Sequence, residues 1–297
     1  MSAPRVLITG GTGNTGRRIA ARLGELGLSV RTASRAPKPE SSGEHVRFDW
    51  ADASTHTPAL EGVDRVYLLA PAMVADPSTV MLPFLEEALA RGVQRLVLLS
   101  SSAIPEGSPG IGTVDRFLRE RAPGWAVLKP SWFMQNFVDP KHVHAASLLD
   151  QGIVVTSTGA GRVGFVDPND IAEVAARALA DDEPHNAAHV ITGPEALSYG
   201  DLAAILTRVT GRPMRHVNVD DAESTRWLVA SGMPERYAAL LVGLDAAIRE
   251  GAEDRVTDTV LRVTGRPPRS FEAFARANAH VFREREPAPS PSALDRP

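Results

Sequence analysis

Thr9-Gly10-Gly11-Thr12-Gly13-Asn14-Thr15-Gly16 stands between an apolar run of strand length, Val6 to Ile8, and a segment of helix length, Thr15 to Leu26. The stretch satisfies Gly-x-Gly-x-x-Gly through Gly11, Gly13 and Gly16, and Gly-x-x-Gly-x-x-Gly through Gly10, Gly13 and Gly16. Such spacing meets three needs at once: a turn free of Cβ obstruction, close backbone approach to a pyrophosphate, and a helix whose unbonded N–H groups and dipole face the anion. A glycine pattern alone also makes an ordinary tight β-to-α turn. Its place at the first such junction of a repeating series is what points to a dinucleotide, with Gly10, Gly11, Thr12, Gly13, Asn14, Thr15 and Gly16 as the expected contacts.

The series continues outward from that turn. Apolar runs at Leu28 to Val30, Val66 to Leu69, Leu96 to Leu99 and Trp125 to Leu128 alternate with helix-length segments at Thr79 to Arg91 and Thr113 to Arg121. Continuous rather than alternating apolar runs suit strands covered on both faces, so the fold class expected is α/β, a Rossmann-type doubly wound parallel sheet. Gly27, Gly92 and the Pro123-Gly124 pair stand where helices should stop. After Trp132 the rhythm loosens into helices at Asp170 to Ala180, Tyr199 to Val209, Asp221 to Ala230 and Glu235 to Arg249, with short strands near Gly152 to Thr156, Ala188 to Ile191 and Arg215 to Val219. This predicts a core over residues 1–131 and a smaller, mostly helical substrate lobe over 132–283 that returns some segments to the core. Residues 284–297, with four prolines and no apolar period, are expected to be a disordered tail. Arg-Val-Thr-Gly-Arg-Pro occurs at 208–213 and again at 262–267, which reads as recurring helix-stop chemistry more readily than as a duplication.

Composition narrows the function. With 297 residues, 43% of them hydrophobic and 23% charged, the chain has ample material for a buried core. A net charge of −4 gives no basic face for nucleic acid, and zero cysteines exclude thiolate catalysis and Cys-ligated metal. No apolar window has the length of a membrane span, and the N-terminus lacks the pattern of a signal peptide. A cytoplasmic protein without a metal site, acting on a small molecule as monomer or homodimer, is expected.

The end of the second strand bears on the choice of dinucleotide. A site selective for NAD places Asp or Glu about 20 residues after the turn to hold the ribose hydroxyls, whereas a 2′-phosphate calls for a cation and no acid. The segment reads Val30-Arg31-Thr32-Ala33-Ser34-Arg35-Ala36-Pro37-Lys38, with no acid. Ser34, Arg35 and Lys38 are therefore the expected contacts, and NADP(H) the expected cofactor. Asp49-Trp50 should close the third strand beside the adenine, Ala70-Pro71 the fourth, and Ser100 and Pro130 stand at the ends of the next two.

Together with Leu96 to Ser101, Leu128-Lys129-Pro130-Ser131-Trp132-Phe133-Met134-Gln135-Asn136-Phe137, Gly164 to Ala172 and Thr264 to Phe271, these motifs resemble the NmrA-like branch of the atypical short-chain dehydrogenases. That branch includes isoflavone-reductase-like, quinone-reductase-like and festuclavine-dehydrogenase-like proteins, and the resemblance spans roughly Arg5 to Phe282. It implies a cofactor lying along the carboxyl ends of the strands, with the Phe133 to Phe137 loop framing nicotinamide and substrate. Met73, Phe133, Met134, Asn136, Phe137 and His142 are accordingly the candidate substrate contacts.

Ordinary short-chain dehydrogenases set a Tyr and a Lys one helical turn apart, so that the lysine charge helps the phenol protonate a nascent alkoxide. Here the three tyrosines are Tyr67, Tyr199 and Tyr237, none of them in the helix Thr113 to Arg121, and the lysine that isoflavone-reductase-like proteins carry near the start of that helix is replaced by Ile111. Ser101 and Asp115 remain as candidate catalytic groups, Ser101 doubling as an ordinary strand-end cap. His142 and His144, at i and i+2, make a poor metal pair and read as surface residues with at most one facing the cleft. A reaction needing hydride and little acid fits: reduction of an iminium, an enone or a quinone-like compound. The rival expectation is a regulator that binds NADP(H) without turnover.

Overall fold

In the computed structural model, which describes residues 3–36, 43–72, 74 and 76–282, seven parallel strands form one sheet. They are β1 (Arg5–Thr9), β2 (Ser29–Ser34), β3 (Glu44–Arg47), β4 (Arg65–Leu69), β5 (Arg95–Leu99), β6 (Gly124–Pro130) and, later in the chain, β9 (Ala187–Ile191), in the order β3-β2-β1-β4-β5-β6-β9. Lys38, Met73 and the tail 284–297 lie outside the described residues.

Period-two alternation sends successive side chains to opposite faces, and here both faces are dry. On one side Val6, Ile8, Tyr67, Val97 and Leu128 meet α1 (Asn14–Glu25) and α6 (Pro168–Ala180). On the other, Leu7, Val66, Leu68, Leu96, Leu98 and Val127 meet α2 (His56–Leu60), α3 (Ser78–Ala90) and α4 (Ile111–Arg121). Gly27 and Gly92 end α1 and α3 at φ +79° and +88°, the left-handed turn in which glycine is favoured. Gly124 is not such a stop, since it opens β6 in extended backbone.

The remaining elements build a second lobe. It holds α5 (Val143–Gln151), β7 (Ile153–Thr156), β8 (Arg162–Val163), β10 (Leu197–Ser198), α7 (Tyr199–Thr210), β11 (Arg215–Asn218), α8 (Asp221–Ala230), α9 (Glu235–Arg249) and α11 (Phe271–Ala277). Phe137, Phe165, Tyr199 and Phe271 lie in its core. The chain laces the lobes together. It leaves the sheet after β6, returns as α6 and β9, leaves again, and returns as α10 (Thr259–Thr264), which lies on α6 and β9.

The two Arg-Val-Thr-Gly-Arg-Pro segments end α7 and α10 identically. Gly211 (φ +75°) and Gly265 (φ +73°) are the left-handed caps, Thr210 and Thr264 each donate back to a helical carbonyl at 2.7 Å, and each accepts from the N–H two residues on at 3.2 Å. Other details depart from expectation. The second strand begins at Ser29 and runs on through Ser34; the third stops at Arg47, so Asp49 and Trp50 stand in the loop beyond it. Five-residue α2 and six-residue α10 are too short to show a helical period in sequence.

Candidate functional site

Strand order reverses between β1 and β4, and the crevice outside their carboxyl ends is where doubly wound sheets bind ligands. Thr9 fixes the spacing there, its hydroxyl donating to the Tyr67 carbonyl at 3.1 Å and accepting from the Leu69 N–H at 2.8 Å. The glycines divide into two groups. A Cβ on Gly10 would stand 2.5 Å from Leu69 Cδ2, one on Gly11 2.7 Å from Thr32 Cβ, and one on Gly16 2.4 Å from the Gly10 carbonyl. These three serve the packing of turn, strand and helix. Gly13 has φ −80°, and its Cβ would meet only the Gly10 oxygen, at 3.1 Å, so the space beside it belongs to the cleft.

Helix α1 starts at Gly13 with no side chain capping it, whereas Asp167, Ser198, Asp220 and Ser270 cap α6, α7, α8 and α11. The first-turn N–H groups of Asn14, Thr15 and Gly16 thus have no acceptor within the helix. That open end, with the bare Gly13 in front of it, fits a pyrophosphate. The side chains of Asn14 and Thr15 are already engaged: Asn14 accepts from Arg18, and Thr15 accepts from the buried Tyr67 hydroxyl at 3.1 Å. Their contribution to an anion is their backbone. Burial, opposed only by the Thr15 bond, pushes the Tyr67 phenol up out of the physiological range, which removes it as an acid.

The cleft holds about 630 Å³ and runs from Gly10, Thr12 and Gly13 past Ser34 and Arg35 to Asp49 and Trp50, with Ala70 and Pro71 opposite. Trp50 is its rigid wall: the indole N–H donates to the Leu69 carbonyl at 3.1 Å, and its ring meets Phe48 and Phe84 edge-on at 4.9 and 5.2 Å. Asp49 accepts from the Ala51 N–H at 3.0 Å. Ser34 donates to the Ala36 carbonyl at 2.6 Å and bonds the His45 ring at 2.9 Å. Arg35 is exposed and pairs with no carboxylate among the described residues. Arg31 contrasts with it, buried against Glu44 at 2.7 Å and the carbonyls of Ala59 and Glu61.

At the ends of β5 and β6, Ser100 Oγ and Ser131 Oγ are buried without a hydrogen-bond partner, and Pro130 closes β6 between them. Ser101 accepts from the Ala103 N–H at 3.3 Å, a local turn cap. Ser102 donates to Glu253 at 2.8 Å. Asp115, a candidate acid in the sequence, has no exposed surface; its carboxylate is held by Arg119 at 2.6 Å and Lys129 at 3.0 Å. The helical i, i+4 spacing to Arg119 and the inward aim of Lys129 make it a packing anchor.

The Phe133 to Phe137 loop sorts differently from expectation. Phe133 bridges to Val166, while Met134 and Phe137 turn into the core of the second lobe at 0% and 1% exposure. The short 3-10 turn Met134–Phe137 puts those two side chains on its inner side, where the lobe would otherwise have a void. Trp132, Asn136 and His142 line a second cavity of about 80 Å³ with His144, Tyr199 and Asp245. His142 and His144 are therefore cavity-wall residues and not surface ones. His142 Nδ1 accepts the His144 N–H at 3.3 Å, capping α5, and the His144 ring stacks on Phe137 at 5.8 Å. Burial, reinforced by the neighbouring His142 and His216, holds the His144 imidazole down to about 3, and burial also lowers His142. Burial pushes the Asp245 carboxyl up to about 6. Asp245, Tyr199 and Glu253 carry no sequence signal, because each is brought in by a tertiary contact and not by a spacing.

Residues 10–182 match the family described as NAD(P)H-binding. An uncharacterised oxidoreductase of Bacillus subtilis, YesF, is 48% identical over 92% of this chain and 95% of its own length. Agroclavine dehydrogenase of Claviceps fusiformis is 36% identical over 95% of this chain and 99% of its own. Among solved structures, the NADPH-dependent quinone oxidoreductase of Escherichia coli in complex with NADPH superposes with a TM-score of 0.79 at 22% identity, covering 93% of this chain and 99% of that one. An open helix N-terminus at the switch of a 3-2-1-4-5-6 sheet, and relatives of this identity across nearly the whole length, make the chain a member of the NAD(P)H-binding oxidoreductase family that includes YesF and agroclavine dehydrogenase.

Proposed function

We propose that the protein is an NADPH-dependent reductase that delivers hydride to an electrophilic small molecule of the iminium, enone or quinone-like class. The observation that carries this reading is that no group of catalytic acidity stands free at the ends of β5 and β6 among the described residues, the unpartnered Ser100 and Ser131 hydroxyls being alcohols with no charged neighbour to make them acidic. Lys129 and Asp115 satisfy each other, Ser101 caps a turn, and Tyr67 is committed to Thr15. A ketone needs a proton on its oxygen as hydride arrives. An iminium carbon does not: one C–H bond forms, the C=N π pair moves onto nitrogen, and NADPH leaves as NADP⁺. An enone or quinone takes its proton afterwards from water.

Bound NADPH supplies the hydride in this scheme, and the chain supplies position. The α1 N-terminus holds the pyrophosphate and Trp50 walls the adenine end. Arg35, with no acid beside it among the described residues, favours the 2′-phosphate. The run from Pro130 to Asn136 leads from the end of β6 into the second lobe, which makes the junction of the two the proposed seat of the substrate. The same reading places the protein in the cytoplasm, as a monomer or homodimer.

The test is NADPH oxidation by the purified protein against a panel of iminium, enone and quinone compounds. Turnover of at least one class is expected, with Ser101→Ala retaining activity to within about tenfold, well short of the roughly 10²- to 10⁴-fold loss that follows removal of a general acid. Tight NADPH binding with no turnover of any electrophile would defeat the proposal.

A further inference from the structure

The Ser34 hydroxyl, which lines the cleft beside Arg35, has two hydrogen-bond partners and a single proton. It donates that proton to the Ala36 carbonyl at 2.6 Å. His45 Nε2, at 2.9 Å, must then be the donor to Ser34 Oγ, which fixes the neutral ring with its proton on Nε2 and a lone pair on Nδ1. His45 belongs to β3, the edge strand, where it stands in register with Thr32 of β2 and is half-buried. The charged groups on the elements packed around it are cations or are already paired. On its own strand Glu44 holds Arg31 of β2 at 2.7 Å, and Arg47 holds Asp52 at 2.9 Å. Arg35 directly follows Ser34 at the end of β2. The titratable side chain of α2 is His56, whose ring bonds the Asp49 carbonyl at 3.1 Å and stacks on Phe48.

A phosphate oxygen is a stronger acceptor than a neutral carbonyl. A hydroxyl that already receives a hydrogen bond from an imidazole can turn its own proton from Ala36 to such an oxygen and keep its donor, and that donor strengthens the bond the hydroxyl gives. Histidine is also the side chain whose charge changes between about pH 5 and pH 8, and as imidazolium it still donates through Nε2. We propose that His45 is a positioning residue for the 2′-phosphate: it holds the Ser34 hydroxyl as a donor to that group and, as imidazolium, adds a charge that sharpens the choice of NADP(H) over NAD(H) in acid. The inference rests on the reading of the cleft as an NADP(H) site. It adds a pH dependence that an arginine, charged throughout this range, does not give. The sign follows from linkage: the phosphate favours the imidazolium, so binding takes up a proton and is strengthened as pH falls. The phosphate itself gains a proton near about pH 6, which weakens it for every variant alike, so proteins are compared with one another at each pH.

The test is calorimetric titration of the unmodified protein, His45→Gln and His45→Leu with NADP⁺ and with NAD⁺, which lacks the phosphate. Glutamine keeps an N–H donor and cannot take up the charge; leucine has neither. At about pH 8, His45→Gln should bind NADP⁺ within about twofold of the parent and His45→Leu about fivefold more weakly, as loss of one hydrogen bond does. At about pH 6, the parent should exceed His45→Gln by about fivefold, the effect of one exposed ion pair. Titration in two buffers of unlike ionisation enthalpy should show more proton uptake with NADP⁺ in the parent than in His45→Gln. NAD⁺ affinity should agree within about twofold in all three proteins, which certifies the fold. Equal proton uptake and one parent-to-glutamine ratio at both pH values would overturn the charge given to His45. Leucine matching glutamine at about pH 8 would overturn the action through Ser34. Parallel loss of NAD⁺ and NADP⁺ would make the histidine a strut between β2 and β3, and overturn the proposal. Equal affinity of the unmodified protein for the two dinucleotides would overturn the NADP(H) reading itself, and the role of His45 with it.

Discussion

Ser102, just past β5, donates a 2.8 Å hydrogen bond to Glu253, a carboxylate that the second lobe contributes from 151 residues further along the chain. Glu253 is 4% exposed, its other oxygen meets Arg255 at 3.1 Å, and Arg255 in turn reaches the Ser102 carbonyl at 3.3 Å. Two residues on, Thr257 donates through its hydroxyl to the Val190 carbonyl at 2.7 Å and through its N–H to the Thr192 hydroxyl at 2.9 Å, so this segment is pinned across the carboxyl ends of the strands.

Glu253→Ala should therefore destabilise the protein by about 1–3 kcal/mol, the cost of leaving a buried hydroxyl and its partners unpaired. Urea unfolding measures this directly. A midpoint unchanged from the parent would mean that the contact between lobes contributes nothing.

The turn glycines should separate in experiment. Gly16→Ala forces a Cβ to within 2.4 Å of the Gly10 oxygen and should lower stability, whereas Gly13→Val should leave the fold largely intact and abolish NADPH-induced stabilisation. A thermal-shift titration distinguishes the two. Undiminished stabilisation by NADPH in Gly13→Val would show that the turn does not hold the pyrophosphate.

Arg35→Ala should erase most of a preference for NADPH over NADH by removing a charge-assisted bond worth about 1.5–3 kcal/mol. NADH affinity should stay within a factor of about three. Equal affinity of the unmodified protein for both dinucleotides would refute the assignment.

His189 should carry part of the acid sensitivity, beside the still more strongly lowered His144. Burial first, then the neighbouring His185 and Arg262, holds the His189 imidazole down from 6.5 to about 4. The unfolded chain takes up a proton below about 6.5 that the folded one refuses, so the stability tied to this group is complete above that pH and falls as pH drops towards 4, by about 1.4 kcal/mol per pH unit. Asp170 and Asp245 act in the opposite sense. Burial raises both to about 6, so the folded state takes up their protons first and gains stability on acidification from about 6. His189→Gln should flatten the acid limb of the stability profile between pH 6.5 and pH 4, as followed by urea midpoints at several pH values. An unaltered limb would exclude the imidazole as its source.

The parts of the molecule legible in sequence are those written in local pattern. Strand runs such as Val66 to Leu69, helix ends at Gly27 and Gly92, and the glycine turn each follow from residues within a few positions of one another. The pocket walls are different. Met134 and Phe137 look like pocket residues beside Trp132 and Asn136, and only the tight turn they sit in sends them inward. His144 looks exposed until α5 buries it against Phe137 and Tyr199. Glu253 and Asp245 gain their meaning from contacts with Ser102 and Ser157, 151 and 88 residues away, and no spacing encodes such distances.

Helix α1 meets a late-made neighbour. Arg22 reaches Glu173 of α6 at 2.8 Å, and Ile19 and Leu23 bury themselves beside Ile171, Val174 and Ala175. During synthesis the apolar stripe of α1 leaves the ribosome some 151 residues ahead of the helix that covers it, an interval on the order of ten seconds at ~5–20 residues per second. Strand β6 likewise waits as an open edge until β9 arrives. The nascent chain thus passes through a long stage with its nucleotide turn already translated but its sheet unfinished, and that stage is where a chaperone, or a mutation that speeds aggregation, would exert its effect on the yield of this protein.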